Sequence, residues 1–104
     1  MNDKLPSISI IIPTYNSENV LSLCLESIKN QDYPKEKIEV IIVDGGSQDA
    51  TIDIAKAFGS KVLNKSDQEN PERRKALGLA QAKNDLVAFI DSDNILPHRE
   101  WLKK

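Results

Sequence analysis

The sequence predicts an α/β fold built on a mostly parallel, doubly wound sheet. Short β-branched runs alternate with amphipathic segments in the order β-α-β-α-β-α-β, which is typical of parallel strands joined by right-handed crossovers. Polar side chains follow three of the four predicted strands, at the sheet edge where such folds bind ligands. With 104 residues, 39% hydrophobic and 29% charged, the chain has the size and composition of one globular domain.

The first predicted strand–helix unit lies at the N-terminus. Residues 8–12 are β-branched and are followed by Pro13, so we expect a buried strand that stops at the proline. Asn16 or Ser17 can cap the helix that follows. Its apolar positions recur at helical spacing and are Val20, Leu21, Cys24, Leu25 and Ile28.

The second unit begins with a buried strand over residues 38–43. Gly45 and Gly46 follow it in a turn where both are free to take positive φ. A helix over residues 48–58 comes next, and Gly59 suits its C-terminal cap. The buried side of this helix is predicted to carry Ile52, Ala55 and Phe58.

The second half of the chain continues the alternation. Its predicted elements are a strand at Lys61–Asn64, a polar loop over 65–70, a helix over 71–83, a strand over 86–90 and a helical piece from Pro97. Asn70 and Pro71 make a good start for the helix, as capping residue and first helical position. We expect this helix to bury Ala76, Leu77, Leu79 and Ala80.

Composition excludes several classes of function. The chain has 14 Lys and Arg against 16 Asp and Glu, a net charge of −2, and 5% aromatic residues, so it lacks the basic stacking surface of a nucleic-acid binder. One cysteine, Cys24, excludes an internal disulfide and a thiolate metal cluster. The purest apolar runs, residues 10–12 and 40–43, are far shorter than the roughly 20 residues that span a bilayer, and no signal peptide is visible.

Asp91 and Asp93 are the strongest candidate site residues. They follow a strand and lie two apart, so both carboxylates can face one site, and a divalent cation relieves their repulsion. All-oxygen ligands favour Mg²⁺ or Mn²⁺. The alternative is that acids after a strand only form turns. The apolar run 87–90 favours a site, because it drives the pair to the edge of a core, where unpaired charge is costly.

Two further groups can contact a ligand. Asp44 follows a similar buried run and can accept a hydrogen bond from the N–H of a base, although a helix-capping turn is the alternative. The helix after Asn70 opens with three cations, which can meet a diphosphate or a base or form a solvated face, namely Arg73, Arg74 and Lys75.

Three motifs stand at the strand ends, ISIIIPTYN at residues 8–16, VIIVDGGSQDAT at 40–51 and LVAFIDSD at 86–93. Together they resemble the N-terminal, nucleotide-binding half of family 2 glycosyltransferases, which have the GT-A fold. The resemblance covers nearly the whole chain. Each motif alone is weak, and the three in register are strong.

The resemblance implies a Rossmann-like GT-A sheet with helices on both faces and strand order 3-2-1-4, truncated. It implies one nucleotide-sugar-binding domain over residues 1–104, as a fragment of a longer glycosyltransferase. The activity implied is transfer of a sugar from a UDP- or GDP-linked donor to an acceptor hydroxyl, assisted by Mg²⁺ or Mn²⁺. The family's acidic general base lies well downstream of Asp-x-Asp, so no catalytic residue is expected within this chain.

The same resemblance implies roles for individual residues. The metal ligands would be Asp93 and Asp91, with Asp91 also beside the ribose. Asp44 would bind the base. The remaining nucleotide-binding residues implied are Thr14, Tyr15 and Glu18, with a cation from Arg74 or Lys75.

Two positions depart from the family pattern. Gly45 stands where the family often has a second acid. Lys75 stands three residues before Gly78, where the family usually carries arginine, and Arg74 is adjacent. The pattern therefore leaves open which of the two cations serves the donor.

Strand four is an edge in the order 3-2-1-4, so we expect the isolated chain to form a homodimer or swap elements through it. A nucleotide-binding or scaffolding module without turnover is the main alternative function. A haloacid dehalogenase-type phosphatase and a receiver domain carry their acids after the first strand, where this chain has Pro13 and Thr14. We expect a cytoplasmic location, or the inner membrane face for a longer parent protein.

Overall fold

The computed structural model describes residues 5–64 and 70–103, which form a four-stranded parallel sheet covered by helices. The strands are β1 (Ile8–Thr14), β2 (Ile38–Asp44), β3 (Lys61–Asn64) and β4 (Leu86–Phe89). The helices are α1 (Leu21–Lys29), α2 (Thr51–Ala57) and α3 (Pro71–Gln81), with 3-10 turns at Lys35–Lys37 and Trp101–Lys103. The strand order is β3-β2-β1-β4, which confirms the predicted fold class and order. Of the predicted polar loop, residues 65–69 lie outside the described residues.

Strand β1 is the centre of the core, because all seven of its residues are buried. It pairs with β2 along its whole length, from Ile8 opposite Ile38 to Thr14 opposite Asp44. The expectation that the strand stops before Pro13 is wrong. The Ile11 carbonyl accepts the last hydrogen bond from the β4 side, from Ile90 N. Pro13 faces that same side beyond the end of pairing, so its missing N–H removes no ladder bond.

Helix α1 begins later than predicted and is not capped by a side chain. The Ser17 carbonyl, not its hydroxyl, accepts hydrogen bonds from Val20 N at 3.1 Å and Leu21 N at 2.9 Å. The Asn16 side chain is used elsewhere, as acceptor for Gln48 N. The predicted apolar face is confirmed, with Leu21, Cys24, Leu25 and Ile28 buried.

The connection from β2 to α2 is longer than expected. Helix α2 begins at Thr51 and not at residue 48, because residues 47–50 are hydrogen-bonded to the preceding β1–α1 loop. Of the two glycines in the turn, only Gly46 takes positive φ, at 96°. Gly59, with φ 78°, ends α2 as predicted.

Helix α3 begins as predicted, since Asn70 Oδ1 accepts a hydrogen bond from Glu72 N at 2.8 Å. The predicted buried face of α3 is wrong, because Ala76 and Ala80 are exposed, Leu79 is 50% exposed and Leu77 is only half-buried. Arg74 and Gly78 are buried instead. The reason is close packing on the sheet, which places the face carrying the glycine, and not the alanines, against β1 and β2.

The last predicted helix is also absent from the described residues, where only a single 3-10 turn forms at Trp101–Lys103. Gln31 holds this segment against the end of α1. Its Nε2 donates to the His98 carbonyl at 2.7 Å and its Oε1 accepts from Leu102 N at 2.9 Å. No helix in residues 5–64 and 70–103 is long and apolar enough to cross a bilayer.

Candidate functional site

An open cleft of about 560 Å³ lies at the carboxyl ends of β1 and β4. Open α/β sheets bind their ligands at this edge. The cleft brings together three segments that are far apart in the sequence, and its lining residues are Pro13, Tyr15, Asn16, Ser17, Val20, Arg74, Asp91, Ser92 and Asp93. Four of the predicted site residues therefore meet in it, namely Tyr15, Arg74, Asp91 and Asp93.

The Asp91 and Asp93 carboxylates are both exposed in this cleft. The expectation that the apolar run drives them into the edge of a core is wrong, because β4 is an edge strand and its Phe89 is 47% exposed. Asn94 shapes the turn, since its Oδ1 accepts from Asp91 N and its own N donates to the Asp91 carbonyl, both at 3.0 Å. The backbone of the turn is thus fixed while its carboxylates face solvent.

Acidic side chains of the cleft could hold a divalent cation only together with oxygens from a bound ligand. In the described part of the chain, no three Asp, Glu, His or Cys side chains cluster as a self-sufficient metal site. Mg²⁺ typically takes one or two protein carboxylates, and phosphates and water fill the rest of its coordination. Asp91 and Asp93 supply that oxygen-only pair, so they are the residues that can hold such an ion.

Asp44 and Thr14 are buried and do not line the cleft. The Asp44 carboxylate accepts four hydrogen bonds, from Thr14 Oγ1 at 2.7 Å, Gly46 N at 2.9 Å, and the Ser47 N and Oγ at 2.6 Å each. A carboxylate has about four acceptor positions. In this structure Asp44 therefore organises the turn after β2 and has its acceptor capacity filled.

Hydrogen bonds between residues 16–18 and residues 47–51 join the β1–α1 loop to the β2–α2 connection, and we name them the loop clasp. Asn16 N donates to Ser47 Oγ at 2.7 Å, and Ser17 N donates to Thr51 Oγ1 at 2.7 Å. Glu18 Oε1 accepts from Ala50 N at 3.0 Å. Glu18 does not line the cleft, so the structure places this predicted site residue in the clasp that supports the cleft wall.

Asp49 is the ionised acceptor of the loop clasp. Its Oδ2 accepts from Glu18 N at 3.2 Å, and its Oδ1 accepts from Thr51 N at 2.9 Å. Burial acts to raise the pKa of Asp49, but hydrogen bonds from Thr51 and from Glu18 N outweigh it and hold that pKa below its ordinary value. The charged form of Asp49 is therefore the one that stabilises the clasp.

The structure separates the two candidate cations. Arg74 is 5% exposed and lines the cleft. Lys75 forms an ion pair on the helix surface, with its Nζ 3.3 Å from Glu72 Oε2, and it does not line the cleft. Position along α3 thus brings Arg74, and not Lys75, to the strand ends.

Three cleft residues with polar side chains were missed as site residues in the sequence. Ser17 and Ser92 join the two sides of the cleft through hydroxyls 3.1 Å apart. Asn16 takes φ 46°, and an asparagine just after a strand is a signal for that left-handed conformation. Ser92 had no signal except its place between two acids.

Cys24 belongs to the core, as predicted, and is not a nucleophile. Burial, with a smaller contribution from the Asp93 carboxylate, raises the pKa of its thiol to about 11. The thiol therefore stays protonated at neutral pH.

The fold and the cleft define a Rossmann-like α/β protein with an Asp-x-Asp pair at the ligand-binding edge of its sheet. Residues 9–104 match the family described as Glycosyl transferase family 2, and the chain belongs to that family.

The chain is also similar to individual family members. It is 37% identical over 109 residues to glycosyltransferase AglE of Haloferax volcanii. Its structure matches Staphylococcus aureus TarS in complex with UDP-GlcNAc at 35% identity, with a TM-score of 0.86 over 93% of this chain. It also matches a mannosyltransferase from Pyrobaculum calidifontis in complex with GDP-Man and Mn²⁺ at 26% identity, with a TM-score of 0.85 over 94% of this chain.

These proteins are much longer than the present chain. The match to AglE covers all of this chain and 36% of AglE. The matched part is 29% of the TarS structure and 30% of the mannosyltransferase structure. The TarS structure comprises residues 1–349, and the match spans only 17% of the whole TarS protein, so the chain corresponds to between about a sixth and a third of the length of these relatives.

Proposed function

We propose that this chain is the donor-binding part of a metal-assisted glycosyltransferase, which moves a sugar from a nucleoside-diphosphate sugar to an acceptor hydroxyl. The observation that carries the proposal is the cleft itself, where Tyr15, Arg74, Asp91 and Asp93 meet at the carboxyl ends of parallel strands. Structural relatives crystallised with UDP, with UDP-GlcNAc, and with GDP-Man and Mn²⁺ support a UDP- or GDP-linked donor.

The charged residues of the cleft suit a diphosphate. Asp93 and Asp91 would hold Mg²⁺ or Mn²⁺, which, when bound, neutralises negative charge on the leaving diphosphate. Arg74 adds a cation that burial holds in place. Donors fixed in advance stabilise developing charge without reorganisation.

The remaining predicted residues serve the nucleoside end of the cleft in this proposal. Tyr15 is 55% exposed and offers an aromatic face beside the ligand. Thr14 and Glu18 support this end of the cleft without lining it. Thr14 does so by donating a hydrogen bond to Asp44, and Glu18 by accepting one in the loop clasp. For Asp44 to accept a hydrogen bond from a base, one of its four present donors must release it, and the rotatable Ser47 hydroxyl is the natural one.

In this proposal the chain is one domain, over residues 1–104, and its function is to bind the donor. The general base and the acceptor site are assigned to the rest of a longer protein, and the greater length of the relatives supports this. A cytoplasmic location, with the longer protein at the inner membrane face, stays a prediction.

Calorimetric titration of UDP and GDP tests the proposal. We expect binding to the wild-type chain with Mn²⁺ and its loss with chelator. Asp93→Asn should weaken the Mn²⁺-dependent binding about tenfold or more, the range for losing a charged contact. Asp53→Asn, an exposed change on α2, is the matched control and should bind like wild type.

Either of two results would contradict the proposal. If UDP or GDP binds equally well with Mn²⁺ and with chelator, the site does not use a metal to bind the donor. If the folded chain binds neither nucleotide, it is not a donor-binding domain. Tight, metal-dependent binding by the longer protein without any sugar transfer would favour the nucleotide-binding module instead.

A further inference from the structure

Gly45 is a glycine for reasons of space and not of backbone conformation. It is not among the glycines with positive φ in the described chain, which are Gly46 and Gly59. A Cβ at residue 45 would lie 2.7 Å from Arg74 Nη1, 3.1 Å from its Cζ and 3.5 Å from its Cδ. Any side chain at this position therefore competes with the Arg74 guanidinium for the same volume.

Helix α3 determines where that guanidinium lies. A Cβ at residue 78 would lie 2.5 Å from Ile11 Cγ2 and 3.0 Å from Val43 Cγ2, so α3 approaches the sheet closely at this point. Arg74 is one turn earlier on the same helix face, because residues four apart are neighbours on a helix surface. Since α3 runs antiparallel to the strands that it connects, residue 74 lies toward their carboxyl ends, where it meets Gly45 and the cleft.

We propose that Gly45 and Arg74 form a matched pair. Because residue 45 has no side chain, the Arg74 guanidinium can lie beside it in the cleft, and we call this the seating of Arg74. In that position the guanidinium binds the donor's diphosphate. The inference rests on the proposed function. A guanidinium presents a planar fork of donors that fits phosphate oxygens. Burial restricts its motion before the ligand arrives, and the same cleft holds Asp91 and Asp93, so the fixed cation and the metal-binding pair face one anion.

A double-mutant cycle on the 104-residue chain tests the pair, with UDP and uridine as probes in the presence of Mn²⁺. We expect Gly45→Ala and Arg74→Ala each to lower UDP affinity about tenfold or more, with little change for uridine, which lacks the diphosphate. The double variant should be no weaker than the weaker single variant, because both changes remove the same contact. Asp53→Asn, the exposed change on α2, is again the control and should bind UDP like wild type.

Three results would overturn the pairing. Gly45→Ala could bind UDP like wild type while Arg74→Ala is weakened. The two losses could add in full in the double variant. Uridine could lose as much affinity as UDP, which would move Arg74 from the diphosphate to the nucleoside. If Gly45→Ala fails to fold, the double variant should fold, because the colliding guanidinium is gone; a double variant that also fails to fold places the collision elsewhere.

A readout without nucleotide separates this inference from the proposed function. The Arg74 Nε–Hε resonance should shift in Gly45→Ala and not in Asp53→Asn, and an unchanged resonance in Gly45→Ala would overturn the seating. If the wild-type chain binds neither UDP nor GDP while the resonance shifts, the proposed function fails and the seating of Arg74 by Gly45 stands.

Discussion

Gly78 holds α3 against the sheet because it has no side chain. A Cβ at this position would lie 2.5 Å from Ile11 Cγ2 and 3.0 Å from Val43 Cγ2. Both neighbours belong to fully buried positions of the sheet, which cannot move aside without disturbing the core. A residue that is unfavourable in an isolated helix is therefore required by the packing.

We expect Gly78→Ala to lower the free energy of unfolding by roughly 1–3 kcal/mol, the usual effect of overpacking a core, as measured by urea denaturation. Ala80→Gly, at an exposed position of the same helix, is the control and should lower it by about 0.5–1 kcal/mol through helix propensity alone. A neutral or stabilising Gly78→Ala would show that α3 does not rest on Gly78.

Site residues at strand ends could be predicted from the sequence, and residues whose role depends on helix rotation could not. Asp91 and Asp93 were identifiable because they come soon after a predicted strand, at the sheet edge where such folds bind ligands. Arg74 and Lys75 are adjacent on a helix, so only the packing of Gly78 decides which of them faces the cleft. The sequence also could not predict that the hydrogen-bond acceptor positions of the Asp44 carboxylate are filled, since its partner Thr14 lies 30 residues away.

The loop clasp joins the β1–α1 loop and the β2–α2 connection into one structural unit. Its bonds join residues 31 to 34 positions apart. Local rules predicted caps for α1 and an early start for α2, because they consider only neighbours in the sequence. The same polar groups instead bond across the two loops, which explains why both helices begin late. The strands, set by apolar runs, begin where expected and end within one or two residues of their predicted ends.

The lowered pKa of Asp49 predicts acid sensitivity of this unit. A carboxyl with a lowered folded-state pKa contributes stability that is present above its ordinary value of 3.8 and is lost as the pH falls through the lower, folded value. We expect the acid limb of the stability curve, measured by denaturation between about pH 2 and 5, to be shallower in Asp49→Asn than in wild type. Asp53→Asn should keep the wild-type slope, and an equal change in both variants would remove Asp49 as the cause.

The sheet is buried at its centre, and its edge strand β4 is partly exposed to solvent. Leu86 and Phe89 on this strand are 48% and 47% exposed, and Trp101 beside them is also exposed. An unpaired edge with apolar side chains favours pairing with another chain. The strand order, which the sequence motifs implied and the structure confirms, is what leaves β4 at the edge.

The isolated chain should therefore self-associate through β4. We expect sedimentation equilibrium at tens of micromolar to show dimers, because edge pairing removes both apolar surface and open backbone groups from water. A charge on the edge is the device that proteins use against such pairing, so Phe89→Lys should shift the equilibrium to monomer. A wild-type chain that stays monomeric over the whole concentration range would contradict the prediction.

The position of the cleft between the centre and the edge of the sheet means that its two walls differ in local stability. Tyr15 and Asn16 follow β1, which is paired on both sides, so the wall that they form is lost only at a free energy close to that of unfolding the whole domain. Asp91 and Asp93 follow an edge strand with four paired residues, whose fraying requires far less free energy. The wall that carries Asp91 and Asp93 can therefore unfold locally while the wall after β1 stays folded, and any ligand that bridges the two walls adds its binding free energy to the weaker one. The affinity for such a ligand and the order of β4 are in this sense a single equilibrium.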